Sequence, residues 1–362
     1  MQTETQAKPW IHEMAPTVAV IVPVYNGGAK FRACLDSVAN AEPSPDEVIV
    51  VGDGDTDGSS QLAEAAGTSV YRFPSPGGPG RARNLGAANA QSDILFFVDA
   101  DVTVPRDIIW RVKEFFAQAP DVAAVMGSYD DEPGEANFLS QYRNLLHHFV
   151  HQNGREDAST FWGACGAIRR SVFCDIRGFD EGYTRPSIED IELGYRLKGA
   201  GHIIRLEKSL QVKHWKRWDV RSMLSADVFQ RAVPWTQLIH QYRGFVNDLN
   251  TGATGRASVV AAFLMVGALA AALWEPMLLI LAGGLAAILV TLNARLYRFF
   301  LKKRGLWFTV RVVPWHWFYF LYSGMGFLMG TWRHVFGNGP RTGGSRLVAS
   351  LPELRVQGKE QR

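Results

Sequence analysis

Between residues 17 and 98, short apolar runs rich in β-branched side chains alternate with stretches of helical spacing, and each run stops on polar or turn-forming residues. Residues 18–22 form one such run, closed by Pro23, and residues 47–51, 69–73 and 94–98 form three more. A run that is apolar at every position suits a strand covered on both faces, the condition of a parallel sheet with helical crossovers. The chain therefore predicts an α/β fold with a mostly parallel, Rossmann-like sheet, and a first crossover helix over residues 31–38. In open sheets of this kind ligands bind beyond the carboxyl ends of the strands. Here those ends carry Gly52-Asp53-Gly54-Asp55-Thr56-Asp57-Gly58, the Pro- and Gly-rich turn 74–80, and Asp99-Ala100-Asp101. Farther on, residues 122–126 read as a strand, 138–152 and 188–198 as helices, and 203–206 and 210–212 as short strands.

A chain of 362 residues has room for about two domains, and its composition divides in the same way. The mean hydropathy of −0.05 suits a soluble enzyme, yet the charges crowd into the first 250 positions while residues 258–330 are mostly apolar. Residues 258–274 are 17 uncharged positions, Glu275-Pro276 interrupts, and residues 277–292 supply 16 more. Each run is near the lower length for crossing a bilayer, and nothing beside them offers a polar face, so a membrane hairpin is expected. A third stretch, 307–330, is broken by Arg311, Pro314 and His316, and spans or re-enters. Arg295, Arg298, Lys302, Lys303 and Arg304 lie between, which puts that loop and the N-terminal domain in the cytosol. The expected division is a polar tail 1–15, a catalytic domain 16–236, an interfacial linker 237–256, a membrane region 257–330 of two to three helices, and a basic tail 331–362. The corresponding location is multi-pass in the cytoplasmic (inner) membrane.

A net charge of +3 is too small to argue for nucleic acid and agrees with attraction to anionic lipid. The aromatic and basic residues Lys213, Trp215, Lys216, Arg217 and Trp218 suit a membrane interface, and no nucleic-acid module surrounds them. Cys34, Cys165 and Cys174 are an odd set without metal-type spacing, and residues 1–8 hold no signal-peptide core. Free thiols in a reducing cytosol are expected.

Asp99 and Asp101 follow an apolar strand, where residues two apart point the same way, so both carboxylates can meet one hard cation such as Mg2+ or Mn2+. Asp53, Asp55, Asp57, Gly58 and Glu64 satisfy the calcium-loop spacing of an EF-hand, but a strand precedes the loop where that motif needs a helix. Three carboxylates also disqualify it as a dinucleotide fingerprint; a strand-end Asp can instead accept hydrogen bonds from a base or ribose. His147 and His151 have helical zinc-ligand spacing without an acidic or thiol partner, so packing or acceptor contact is favoured.

Val20-Ile21-Val22-Pro23-Val24-Tyr25-Asn26, Val50 to Asp57, Ala82-Arg83-Asn84 and Asp99-Ala100-Asp101 together resemble the family 2 glycosyltransferases of GT-A fold, over roughly residues 17–215. The resemblance implies nucleotide contact at Asp53, metal and sugar-nucleotide binding at Asp99 and Asp101, and a catalytic base from Glu189-Asp190. It further implies a glycine-containing loop at Gly163-Ala164-Cys165-Gly166 and a metal-reaching His214. Substrate binding would then fall on Pro23, Tyr25, Asp53, Arg83, Asn84, Asp99, Gly163 and Gly166; catalysis on Asp190 and Glu189; and the metal on Asp99, Asp101 and His214. Two departures stand out. The usual paired Asp after the second strand is Gly52-Asp53 here, and Gln230-Arg231-Ala232-Val233-Pro234-Trp235 does not fit the Gln-x-x-Arg-Trp motif of processive synthases.

The implied chemistry is inverting transfer of one sugar from a nucleoside diphosphate sugar, UDP ahead of GDP, to a membrane-associated lipid, lipid-linked glycan or polysaccharide. A divalent cation would stabilise the departing phosphate, Arg81 or Arg83 would pair with it, and one carboxylate would take the acceptor's proton. Asp190, at a helix start, has the positive dipole end to favour an ionised base. A polymerising synthase would need a channel, for which three short apolar stretches suffice only if subunits assemble as a homo-oligomer. A catalytically inactive membrane scaffold of the same fold is the remaining alternative.

Overall fold

The structure, a computed structural model, describes residues 15–242 and 252–337. The expected tail 1–15, apart from its last residue, lies outside the described residues, as do positions 243–251 of the expected linker and positions 338–362 of the expected basic tail.

Eight strands form one mixed sheet: β1 (Val18–Val24), β2 (Glu47–Asp53), β3 (Ser69–Phe73), β4 (Ile94–Val98), β5 (Val102–Thr103), β6 (Val122–Tyr129), β7 (Cys165–Arg169) and β8 (Ile203–His214). Their spatial order is β3-β2-β1-β4-β7-β6-β8-β5. The first four pair in parallel, which requires the crossovers α1 (Gly28–Ala39), α2 (Ser59–Ala65) and α3 (Pro79–Asn89). β7 runs antiparallel between β4 and β6, while β6 pairs β8 in parallel.

Central β1 is buried at every position. Val18, Val20, Val22 and Val24 face α1 and α4 (Ile108–Gln118), joining Phe31, Leu35, Ile109 and Val112. Ala19 and Ile21 face α3 and α7 (Glu189–Gly199), joining Ala82, Leu193 and Leu197. Each fully buried Val, Ile, Leu or Phe contributes about 1.5–3 kcal/mol, so this two-sided burial fixes where the strand ends sit. Gly86 on α3 permits the close approach, since a Cβ there would lie 2.5 Å from Ile21 Cγ2.

Two expectations need correction. The segment read as a glycine-containing loop becomes a turn at Gly163-Ala164 and then β7, so Cys165 and Gly166 are strand residues. The two short strands expected over 203–212 are one irregular strand, β8, whose register shifts against β6 between Val122 and Ala124 and between Met126 and Ser128.

After α5 (Phe138–Asn153), α6 (Arg170–Asp175) and α7, the chain continues through α8 (Val220–Ser225), a π-helical segment (Ala226–Ala232) and α9 (Val233–Gln241). Then come α10 (Ala253–Ala271), α11 (Leu278–Leu292) and α12 (Ala294–Phe336). Among the described residues α10 is the one helix long and apolar enough to cross a membrane by itself. With α12, from which it is bent by 66°, α11 qualifies as a second, broken span.

Gly305, with φ of 80°, divides α12. Its first part packs Leu296, Tyr297 and Phe300 on Tyr142 and Leu145 of α5. Lys303 pairs with Asp131, and Arg304 donates to Gln141 Oε1 at 2.7 Å and to the Asp131 carbonyl at 3.1 Å. The basic segment expected as a loop is thus helical and tied to the sheet domain. Beyond the kink, Gly326 and Gly330 meet Ala232 and Thr236, where added Cβ atoms would lie 2.6 Å from their neighbours. The third apolar stretch therefore lies along the π-helical segment and α9, leaving Phe318, Met325, Leu328 and Trp332 exposed.

Candidate active site

The carboxyl ends of β1, β2 and β4 open on one side of the sheet, beside the start of α7. β4 stops at Val98, and residues 99–101 form a turn closed by Val102 N–H donating to the Asp99 carbonyl at 3.1 Å. Strand alternation therefore ends before the Asp pair, and the two carboxylates have different partners. Asp99 Oδ1 accepts from Arg83 Nη2 at 2.6 Å, and Asp101 Oδ2 lies 3.5 Å from His214 Nε2. β5 aligns Val102 with His214 in β8, which brings the histidine to this corner. Burial raises the affinity of Asp101 for a proton, but His214, Lys216 and Lys30 outweigh it and bring its pKa down to about 2.

Arg83 is the centre of the arrangement. Its side chain is 4% exposed and bridges Asp99 to Glu189, whose Oε1 accepts from Nη1 at 3.0 Å. The two carboxylates outweigh burial and hold the guanidinium above its ordinary range. Gly163 makes room for it, because a Cβ there would fall 2.9 Å from Arg83 Cζ. Glu189 Oε2 accepts from Ser187 N–H at 2.9 Å, so both its oxygens are engaged.

Asp190 differs from its neighbour. Its Oδ2 accepts from Gly163 N–H at 3.1 Å and its Oδ1 from Ile191 N–H at 2.8 Å, and among the described residues it forms no ion pair. Burial, reinforced by the charge of Glu189, pushes its pKa up to about 6 despite those two bonds and Arg83. The N-cap position of α7 is Ile188, not Asp190.

Several other expected contact residues are held by the protein itself. Asp53 accepts from Gly77 and Gly78 N–H, the latter at 2.8 Å, and from Arg81 Nη2 at 2.8 Å, so carboxylate and guanidinium alike shape the 74–80 turn. Gly78 is required there, with φ of 98° and the Tyr183 carbonyl 2.4 Å from where a Cβ would stand. Asn84 donates to the Phe179 carbonyl and to Glu181, both at 2.9 Å, and fixes the segment leading to α7. Gly166 is hemmed in by the Trp162 carbonyl, 2.4 Å from a Cβ position. Pro23 is buried in β1 opposite Val51, whereas Tyr25, just past the strand end, is 56% exposed and open to the site.

The EF-hand spacing has no structural counterpart. Asp55 caps Ser60 N–H at 3.0 Å, while Asp57 binds Ser59 and Gly28 N–H, and Asp53 turns to the 74–80 turn. His147 and His151 pack with ring centroids 3.9 Å apart and planes tilted by 34°, and His151 Nδ1 meets the Gly127 carbonyl at 2.9 Å. Burial holds both below the ordinary histidine range. His147 also packs on Tyr129 and Trp162, and Tyr129 stacks on His214 with centroids 4.2 Å apart, giving the site an aromatic wall. Tyr129 and Trp162 carried no motif signal; strand β6 and the turn before β7 bring them in. Cys165 is buried in β7, and burial pushes its thiol up to about 12.

Among the described residues no three His, Cys, Asp or Glu side chains converge on one metal position. Asp101 and His214, 3.5 Å apart, nevertheless offer one carboxylate and one imidazole, with Asp99 close by. Such a short donor set fits Mg2+ or Mn2+, which take one or two carboxylates and complete their shell with phosphate and water.

Residues 19–177 match the sequence profile of glycosyl transferase family 2. The pre-mycofactocin glycosyltransferase of Mycobacterium tuberculosis is 29% identical over 222 residues, 59% of this chain and 45% of that protein. The O-antigen chain rhamnosyltransferase RfbN of Salmonella typhimurium is 25% identical over 236 residues, covering 61% and 74%. The chain thus spans about half the length of the first of these relatives. The mannosyltransferase PcManGT from Pyrobaculum calidifontis, solved with GDP-Man and Mn2+, superposes over 90% of this chain and 89% of its own with a TM-score of 0.54 at 16% identity. Residues 19–177 thus carry a match to glycosyl transferase family 2, and the fold is that of the GT-A enzymes.

Proposed function

We propose that this protein is an inverting glycosyltransferase that moves a single sugar from a nucleoside diphosphate sugar, UDP ahead of GDP, to an acceptor at a membrane. The observation that carries the mechanism is the contrast between two adjacent carboxylates. Glu189 is locked by Arg83 and Ser187, so it positions; Asp190 meets only two backbone N–H groups and is free to take a proton. Asp190 is the base that removes the proton of the attacking acceptor hydroxyl, and its raised proton affinity suits that task near neutral pH. Arg83, through Asp99 and Glu189, keeps the donor side and the acceptor side in fixed relation. Tyr25 and the turn 74–80 bound the nucleotide side, while Tyr129 and Trp162 exclude water from the acceptor side. When bound, Mg2+ or Mn2+ supplies neutralisation of the charge that develops on the departing diphosphate, and Asp99, Asp101 and His214 would hold it.

Transfer of one sugar is supported by the departure of residues 230–235 from the processive motif. A membrane acceptor is supported by α10, by the exposed Leu273, Trp274 and Met277 at the α10–α11 turn, and by the docking of α12 on the domain that carries the site. The basic residues Arg295, Arg298, Lys302, Lys303 and Arg304, on the helix tied to the sheet domain, support a cytosolic catalytic domain with α10 and α11 inserted as a hairpin. The test is a donor screen. Detergent-purified protein with Mn2+ and a panel of UDP- and GDP-sugars should release nucleoside diphosphate, faster with membrane lipids present. No release from any donor would refute the proposal.

A further inference from the structure

The π-helical segment between α8 and α9 carries Asp227 and Arg231, and interruptions of this kind concentrate at functional sites. Buried Asp227 accepts from Tyr322 of α12 at 2.9 Å and pairs with Arg143 of α5 at 2.6 Å. Arg231 is left 3.8 Å from the same carboxylate, beyond hydrogen-bonding range, with 43% of its side chain exposed. Its guanidinium stays charged, since an arginine is not deprotonated in a protein. Exposed Lys216 lies over the Trp218 ring, 4.4 Å from its centroid. Two cations thus share Asp227, and Arg231 is close enough to Asp190 for their charges to act on one another. One positive charge is therefore in excess where the π-helical segment meets α12. Phe229, on the same π-helical segment, is 57% exposed, and Phe318, one turn before Tyr322, is 40% exposed.

We propose that Arg231, with Arg143 and Lys216, binds a phosphate ester of the acceptor, whose apolar chain lies along Phe229 and the outer face of α12. The acceptor class is therefore a phosphate-bearing amphiphile with a hydroxyl that reaches Asp190. The proposal rests on the glycosyltransferase reading for the word acceptor, but the binding site can be tested without turnover. The contrasting source of phosphate is the donor's own diphosphate, and the experiment separates the two.

Dodecyl phosphate is titrated into the full chain in an uncharged detergent, with dodecanol and inorganic phosphate as controls, and tryptophan fluorescence is followed. UDP and GDP are titrated separately with Mn2+. Wild type should bind dodecyl phosphate at least tenfold more tightly than either control. Arg231→Gln should abolish that advantage, Arg231→Lys should recover part of it, and UDP or GDP affinity should stay within twofold in both. Lys216→Met, at an exposed position, gives an independent loss should Arg231→Gln lower the melting temperature. Equal binding of dodecyl phosphate by wild type, Arg231→Gln and Lys216→Met overturns the proposal. So does a loss of UDP and GDP affinity with dodecyl phosphate binding retained, which would assign Arg231 to the donor. Nucleotide binding without dodecyl phosphate binding in wild type sinks this site and leaves the enzyme reading intact; the reverse pattern sinks the enzyme reading and upholds the site.

Discussion

Replacing Arg83 by Met keeps most of the side-chain volume and removes the charge that joins Asp99 to Glu189. Arg83 and Glu189 are 4% and 6% exposed, so the variant leaves a carboxylate buried with one Ser187 N–H for company. Breaking a buried pair from one side costs about 3–5 kcal/mol. Asp99, with 34% of its side chain exposed, is screened by water and adds little. A domain of this size loses about 2–4 °C in midpoint per kcal/mol, so Arg83→Met should melt roughly 6–20 °C below wild type. The penalty belongs to the orphaned charge. Adding Glu189→Gln removes that charge and should restore at least about half of the lost midpoint, a coupling typical of residues in contact. Thermal melts of wild type, both singles and the double, followed by near-ultraviolet circular dichroism, decide the matter. A single variant within about 3 °C of wild type, or a double that falls by the sum of the singles, would refute the idea that Arg83 holds the site together.

Three further outcomes follow from the same geometry. Asp101→Ala should weaken Mn2+-dependent UDP or GDP binding at least tenfold, and EDTA should bring wild type to the same level; unchanged affinity in either case would remove the carboxylate from donor binding. Because the base must be ionised and its pKa is raised to about 6, kcat/KM should fall about tenfold per unit as the pH drops below that value, and a flat profile between pH 4.5 and 7 would contradict the assignment. In intact cells a cysteine at Glu275 should react with an impermeant thiol reagent while one at Lys302, and the native exposed Cys174, should not; the reverse pattern would overturn the hairpin orientation.

Local periodicity carried the parallel half of the sheet. The runs at 69–73 and 94–98 coincide with β3 and β4, and those at 18–22 and 47–51 each extend two residues further. The antiparallel β7 was not legible, because Cys165-Gly166 reads as a loop until Phe161 and Trp162 fold back to occupy the space beside the glycine. The charge bridge was equally hidden: Arg83 meets Asp99 across 16 residues and Glu189 across 106, separations no spacing rule connects. Pairing of Asp53 with Gly77, Gly78 and Arg81 is of the same kind, a strand-end carboxylate claimed by a turn 24 to 28 residues away. Gln230 to Trp235 could be read only as a departure from a motif; that Arg231 lies in a π-helical segment and shares Asp227 with Arg143 depends on the packing of α12 and α5.

The measurement closest to the central claim is the comparison of donor affinity, melting temperature and transfer rate for Asp190→Asn. The exchange keeps the side chain's shape and one acceptor for the Gly163 N–H while removing basicity. Donor affinity and melting temperature should stay near wild type, and transfer should slow by at least ~10²-fold, the lower range for a lost general base. A rate unchanged in Asp190→Asn, with donor still bound, would remove Asp190 from the mechanism.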